Sequence, residues 1–206
     1  MRYTGPKCRL CRREGVKLFL KGEKCEGTKC TLNKRQTIPG QHGRSGKPTE
    51  YARQLREKQK AKRIFGLNET QFHNLFKEAS SNKGTATDVY IMRSLELRLD
   101  SAFYRSGIVS SRNTARQLVG HGLMLVNGKR VKTPSIRLRV GDIVSLSDTA
   151  KASPLFAGKK LAKDLSPKWI EVSAKDMSFT VVANPEAADF ESIIESRFIV
   201  EYYTRN

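Results

Sequence analysis

Between Ser101 and Gly141 the chain has no aspartate and no glutamate, although eight lysines and arginines fall in the same stretch. A surface that only needs to be soluble mixes both signs, so this run argues against ordinary solvated decoration. Histidine is scarce: His42, His73 and His121 stand in unrelated contexts, with no nucleophile motif beside any of them. No P-loop, dinucleotide fingerprint or zinc-protease helix occurs, which argues against an enzyme built on a recognisable motif. No apolar run approaches the length of a membrane span or a signal-peptide core. Neither basic region carries an amphipathic helix with a broad apolar face, so no membrane partner is expected. The chain is expected in the cytoplasm or a comparable internal compartment.

What is present is positive charge. The formal net charge is +19 over 206 residues, with a hydrophobic share of 38% that is low for a self-sufficient globule. Residues 1–65 contribute +14 and residues 101–141 a further +8, whereas 66–100 and 142–206 are close to neutral. Two basic blocks therefore alternate with two balanced ones, and the partner must supply negative charge.

The central block reads as a compact module. Ser111 is a natural N-cap, and Ala115, Leu118 and Val119 form the apolar stripe of a short helix. Arg112 and Arg116, four apart, project from one face of it. Gly120 and Gly122 can take the left-handed conformations that stop a helix. Leu123–Val126 reads as a strand, and Asn127-Gly128 favours a type I′ hairpin turn into Lys129–Lys132. Arg137 and Arg139 precede a Gly141-Asp142 turn into the apolar strand Ile143–Leu146. The expected product is a helix-turn-hairpin with one purely cationic face, suited to phosphates because each neutralised phosphate releases counterions. Replacing Arg112 and Arg116 together is expected to loosen nucleic-acid binding and leave the fold intact. Base-edge readers are few on the helix, which favours shape recognition of folded RNA over DNA reading by a zinc-bearing protein.

All four cysteines lie in the first thirty residues, as Cys8-x2-Cys11 and Cys25-x4-Cys30. Two close pairs joined by a short loop suit tetrahedral thiolate coordination better than disulfides in a reducing compartment. Zinc is the expected metal, with an iron–sulfur cluster as the alternative. Its role would be structural, with Lys7, Arg9, Arg12, Arg13, Lys24 and Lys29 offsetting the thiolate charge.

Elsewhere, Thr49 can cap a helix to about Phe65, with Tyr51, Leu55, Ile64 and Phe65 packing and Gly66 stopping it. Its crowded cations are expected to be relieved by phosphates. Asn68 and Gln71 form a capping box before Phe72, Leu75, Phe76 and Ala79. Thr87 can cap a third helical run through Ile91, Leu95, Leu99, Ala102 and Phe103, with a domain boundary near Ser94. Trp169–Val172, Phe179–Val182 and Phe198–Tyr203 read as strands. The fold class is α+β. Residues 1–45 are a metal-binding extension and 46–93 a helical domain completed by the C-terminal segment. Residues 94–150 are the RNA-binding module with a small antiparallel sheet, and 151–206 hold closing strands.

Several stretches also resemble one family in order: RYTGPKCRLCRREG, the P-G-Q-H-G segment at 39–43, LREKQKAKRIFG and LELRLDSAFYRSG. The helix R-x-x-A-R-Q-L-V-x-H-G with V-N-G-K-R-V-x-x-P-S and G-D-I-V follows, and IVEYYTRN ends the series. They resemble the small-subunit ribosomal protein four family, in the version that keeps its metal-binding cysteines. The resemblance implies a ribosome-bound primary binder of 16S-type rRNA that seeds assembly of the subunit body and influences decoding accuracy. It implies contact with ribosomal protein five at the acid-rich Asp189, Glu191 and Glu195, with ribosomal proteins three and twelve near or functionally linked. It also implies a loop near the mRNA entry, where Arg44 and Lys47 are the matching positions; some relatives repress their own mRNA. The RNA-binding set expected here is Arg9, Arg12, Arg13, Arg44, Lys47, Arg53, Arg56, Lys60, Lys62, Arg63, Arg105, Arg112, Arg116, Gln117, Lys129, Arg130 and Lys132. The rivals are an RNA-modifying enzyme borrowing the module, for whose catalytic domain no room remains, and a free-standing RNA-binding regulator.

Overall fold

The computed structural model describes residues 3–41, 46–154, 156, 166–174 and 176–205. Three short helices open the chain: α1 (Lys7–Glu14), α2 (Glu23–Glu26) and α3 (Thr31–Lys34). Then come α4 (Glu50–Phe65), α5 (Glu69–Ser81), α6 (Thr87–Glu96), α7 (Leu99–Arg105) and α8 (Arg112–Gly120). Strands β1 (Met124–Val126), β2 (Lys129–Val131) and β3 (Ile143–Leu146) precede α9 (Asp148–Lys151). Strands β4 (Ile170–Ser173) and β5 (Ser178–Val181) follow, and α10 (Ser196–Arg205) ends the chain. Two compact units result, one of residues 1–92 with 191–206, the other of 93–190. Among the described residues no helix is long and apolar enough to cross a membrane.

In the first unit the caps are where side-chain chemistry puts them. Thr49 Oγ1 accepts from the Ala52 N–H at 3.3 Å, and Gly66 ends α4 at φ 63°. Asn68 and Gln71 close a reciprocal capping box on α5. Ile64, Phe65, Phe72, Leu75 and Ala79 are buried, whereas Tyr51 is exposed and packs its ring only against Tyr202, at 5.7 Å between centres. Thr87 is the first residue of α6, one position inside the cap expected of it.

The C-terminal run 198–203 is helical and not a strand. Its β-branched and aromatic composition favours a strand, but Ile199, Tyr202 and Tyr203 stand at i, i+3 and i+4, and that spacing puts them on one helical face. Ile199 is fully buried, Tyr203 stacks on Phe76 at 4.7 Å, and Lys58 Nζ lies 4.3 Å from the Tyr202 ring centre. Spacing decided what composition could not.

The cations of α4 find carboxylates inside the protein, which corrects the expectation that phosphates alone relieve their repulsion. Lys58 and Lys62 donate to Glu69, Lys60 to Glu57 and to the Ile193 carbonyl, and Arg56 and Arg63 pair with Glu14. Partial burial pushes Glu69 up, but hydrogen bonds from Lys58, Lys62 and Tyr203 outweigh it and hold the carboxyl at about 2, against an ordinary 4.5. A carboxylate depressed by folding stabilises fully above its unfolded pKa and loses that contribution as pH falls through the folded value. Stability of this unit should therefore drop between about pH 4.5 and 2. Glu69 is half exposed, so the contribution is on the surface-pair scale of about 1 kcal/mol or less. Acid titration of thermal unfolding in the wild type and Glu69→Gln checks this; superimposable acid limbs would refute it.

The second unit is a five-stranded antiparallel sheet in the order β2-β1-β3-β5-β4, with α7 and α8 supplying apolar faces to the same core. The pleat alternates as a one-faced sheet must: Met124, Val144, Leu146, Phe179, Val181 and Ile170 are buried. Phe103 of α7 stacks on Phe179, and Trp169, 1% exposed, packs within the same core. The expected single helical run 87–103 breaks: α6 stops at Glu96, and Arg98 is extended and bridged to Arg137 before α7 begins.

Candidate nucleic-acid interface

Helix α8 starts where Ser111 Oγ accepts from the Thr114 N–H at 3.2 Å, and it buries Ala115, Leu118 and Val119. Beyond it Gly122, at φ +69°, turns the chain into β1; a Cβ there would stand 2.8 Å from Arg130 Nε and 3.1 Å from Lys132 Cγ. Only glycine satisfies both conditions. Arg130 of β2 donates through Nε to the Gly122 carbonyl at 2.6 Å and through Nη2 to the His121 carbonyl at 3.5 Å. A cation thus meets the carbonyl end of α8, where the helix dipole favours it.

The hairpin tip is equally defined. Asn127 and Gly128 have φ of 50° and 77°, the double left-handed conformation of a type I′ turn. Asn127 Nδ2 donates to Asp142 Oδ1 at 2.9 Å, its Oδ1 accepts from the Ile143 N–H at 2.9 Å, and Asp142 Oδ2 accepts from the Arg139 N–H at 2.7 Å. The tip is therefore tied to the turn before β3, and Lys129, Arg130 and Lys132 are exposed on a fixed hairpin.

Of the expected RNA-binding residues, Arg9, Arg13, Lys47, Arg53, Gln117, Lys129, Arg130 and Lys132 are exposed. Arg44, and His42 beside it, lie outside the described residues. Arg12 donates to the Thr37 carbonyl at 2.9 Å. Arg56, Lys60, Lys62 and Arg63 are engaged by Glu14, Glu57 and Glu69.

Arg105, Arg112 and Arg116 of the central module are likewise engaged, by carboxylates that are themselves buried and so absent from the exposed face. Glu96, fully buried, accepts two hydrogen bonds from Arg105 at 3.0 and 2.7 Å and one from Ser101 Oγ at 3.1 Å. Arg112 Nη2 lies 3.6 Å from it, with the guanidinium 4.5 Å over the Tyr104 ring. Asp100, also buried, takes both arms of Arg98 at 3.1 Å and Arg116 Nη1 at 3.3 Å. Sequence reasoning missed these two carboxylates because both lie just before the acid-free stretch. The signal was there in LELRLD, whose polar residues alternate with leucines. Without Arg112 and Arg116, Glu96 would still hold Arg105 and Ser101 and Asp100 would still hold both arms of Arg98, so an intact fold remains the expected result of the double replacement.

At the N-terminus Cys25 and Cys30 are buried, Cys8 and Cys11 are half-buried, and all four thiols are free. The Lys21 N–H donates to Cys25 Sγ at 3.4 Å. Burial pushes the Cys11 thiol up, against a hydrogen bond from the Leu18 backbone, and the sulfurs of Cys25, Cys8 and Cys30 add to the rise. Among the described residues no three His, Cys, Asp or Glu stand in metal-holding geometry.

With this geometry in hand, the comparisons are specific. Residues 2–96 match the ribosomal protein S4/S9 N-terminal domain, and residues 97–144 match the S4 domain. Their border falls where α6 gives way to the extended Arg98. The small ribosomal subunit protein uS4 of Desulfitobacterium hafniense is 46% identical over 209 residues, covering 99% of both chains. Proteins of the same name from Heliobacterium modesticaldum and Acetivibrio thermocellus are 46% and 47% identical over 207 residues, each again covering 99% of both chains.

Proposed function

Because the chain belongs to the ribosomal protein S4 family of the small subunit, we propose that it binds 16S-type rRNA directly, on the ribosome, through the hairpin and helix of residues 97–144 and the basic N-terminal block. The family is one of ribosomal proteins and not of enzymes, so an RNA-modifying activity is set aside. One observation carries the reading: likeness at 46% identity runs end to end, and the S4 domain match covers the segment that carries the exposed Lys129, Arg130 and Lys132.

Finer roles follow as parts of the same proposal. Early rRNA binding seeds the subunit body and supports decoding accuracy together with ribosomal proteins five and twelve. The acidic Asp189, Glu191 and Glu195 suit ribosomal protein five, with protein three nearby, and the exposed Lys47 suits a contact with incoming mRNA, a role also proposed for Arg44 from the sequence alone. Cys8, Cys11, Cys25 and Cys30 hold a structural zinc ion, an iron–sulfur cluster being the alternative. Their paired spacing, the buried Cys25 and Cys30 and the N–H donor to Cys25 suit thiolate ligands.

The direct test is sedimentation. In cells carrying a tagged copy, the protein should travel with small subunits after a high-salt wash that strips loosely held factors. Recovery only at the top of the gradient would refute the assignment.

A further inference from the structure

Arg98 lies extended between α6 and α7, and the link is held by hydrogen bonds from the Leu138 N–H to the Leu97 carbonyl and from the Leu99 N–H to the Ile136 carbonyl, both 2.8 Å. Glu96 closes α6 and Asp100 stands in the first turn of α7, so the two carboxylates flank this link. Arg112 and Arg116, four apart on α8, share a helical face. The two rows meet in order, Glu96 with Arg112 and Asp100 with Arg116.

We propose that Glu96 and Asp100 are positioning residues for RNA binding: two buried carboxylates that fix the guanidinium planes of α8 and α7 against which folded RNA docks. The inference rests on the functional reading above. Buried ion pairs seldom stabilise a fold better than apolar packing would, so retaining two of them asks for another reason. Arginine supplies it. A planar fork of donors gains specificity only when its orientation is set. Arg112 is gripped on three sides, by Glu96, by Ser101 Oγ at 3.4 Å and by the Tyr104 ring, and still keeps 11% of its side chain at the surface. Arg116 keeps 18%. Binding then requires no search among rotamers of these long side chains.

Charge alone makes the opposite prediction, and this separates the two. Glu96→Gln and Asp100→Asn each make the protein more positive, so a bystander carboxylate predicts equal or tighter binding. Positioning predicts weaker binding, by ~10-fold for each variant, because oriented charge-assisted contacts are lost. Affinity would be measured on a full-length small-subunit rRNA transcript. Folding would be read from the single Trp169, which is buried in the core of this unit. Arg116→Lys keeps the charge and loses the fork; it decides the matter if the carboxamides do not fold, and weaker binding is again expected. Wild-type indifference to the transcript overturns the functional reading itself. Wild-type binding with unweakened folded variants overturns the positioning role alone.

Discussion

Binding of the purified protein to a small-subunit rRNA transcript is expected to weaken by about three to four orders of magnitude between ~50 and ~200 mM salt. The slope follows from which cations reach solvent. Arg9, Arg13, Lys47, Arg53, Lys129, Arg130 and Lys132 are exposed. If each neutralises one phosphate, the logarithm of affinity falls with that of salt at a slope of about −6. Counting all 39 lysines and arginines would suggest a much steeper line. It overstates the interface, because Lys58, Lys60, Lys62, Arg56, Arg63, Arg98 and Arg105 already face Glu69, Glu57, Glu14, Asp100 and Glu96. Fluorescence anisotropy across a salt series reads the slope directly. A nearly flat response would remove phosphate neutralisation from the account. A slope far beyond −6 would mean that further exposed cations, such as Lys34, Arg35 and Arg139, also meet phosphates.

How far the sequence discloses this division depends on the range of each interaction. Local chemistry is legible. Ser111, Thr49 and Asn68 cap the helices that their neighbours predict, and Asn127-Gly128 makes the hairpin its dihedral preference requires. Pairings between distant residues are not. Glu14 reaches Arg63 across 49 positions, and Glu201 reaches Gln54 across 147. A tally of charge along the chain cannot see either. The window 101–141 is acid-free because it opens one residue after Asp100, whose carboxylate then meets Arg116 in space. The helix break at Arg98 was hidden for a related reason. The apolar positions 95, 99, 102 and 103 continue a helical period, while the extended link is secured by backbone bonds to residues 136 and 138. Lys60 shows the limit most simply: read as an RNA contact among neighbouring cations, it is buried and donates to Glu57 and the Ile193 carbonyl.

The N-terminal segment carries the other large effect. Apart from Cys25 and Cys30, its buried apolar side chains are Leu18 and Leu20, and α1 has no fully buried residue. Burial on that scale cannot offset the entropy of ordering some thirty residues, so a metal would have to supply the difference. Purified protein should contain one zinc per chain with all four thiols slow to alkylate. Chelation, or Cys25→Ser, should expose the remaining thiols and melt α1 to α3, since structural zinc in small domains contributes ~10–16 kcal/mol of apparent binding energy. Glu14 closes α1 and is buried against Arg63 and Arg56, so the loss should extend to those pairs and leave two α4 arginines facing solvent. Visible absorbance with bound iron would instead identify a cluster. Metal-free protein, with helices intact and thiols freely alkylated, would show that the four cysteines are packing residues and that Leu18, Leu20 and the Glu14 pairs hold the segment by themselves.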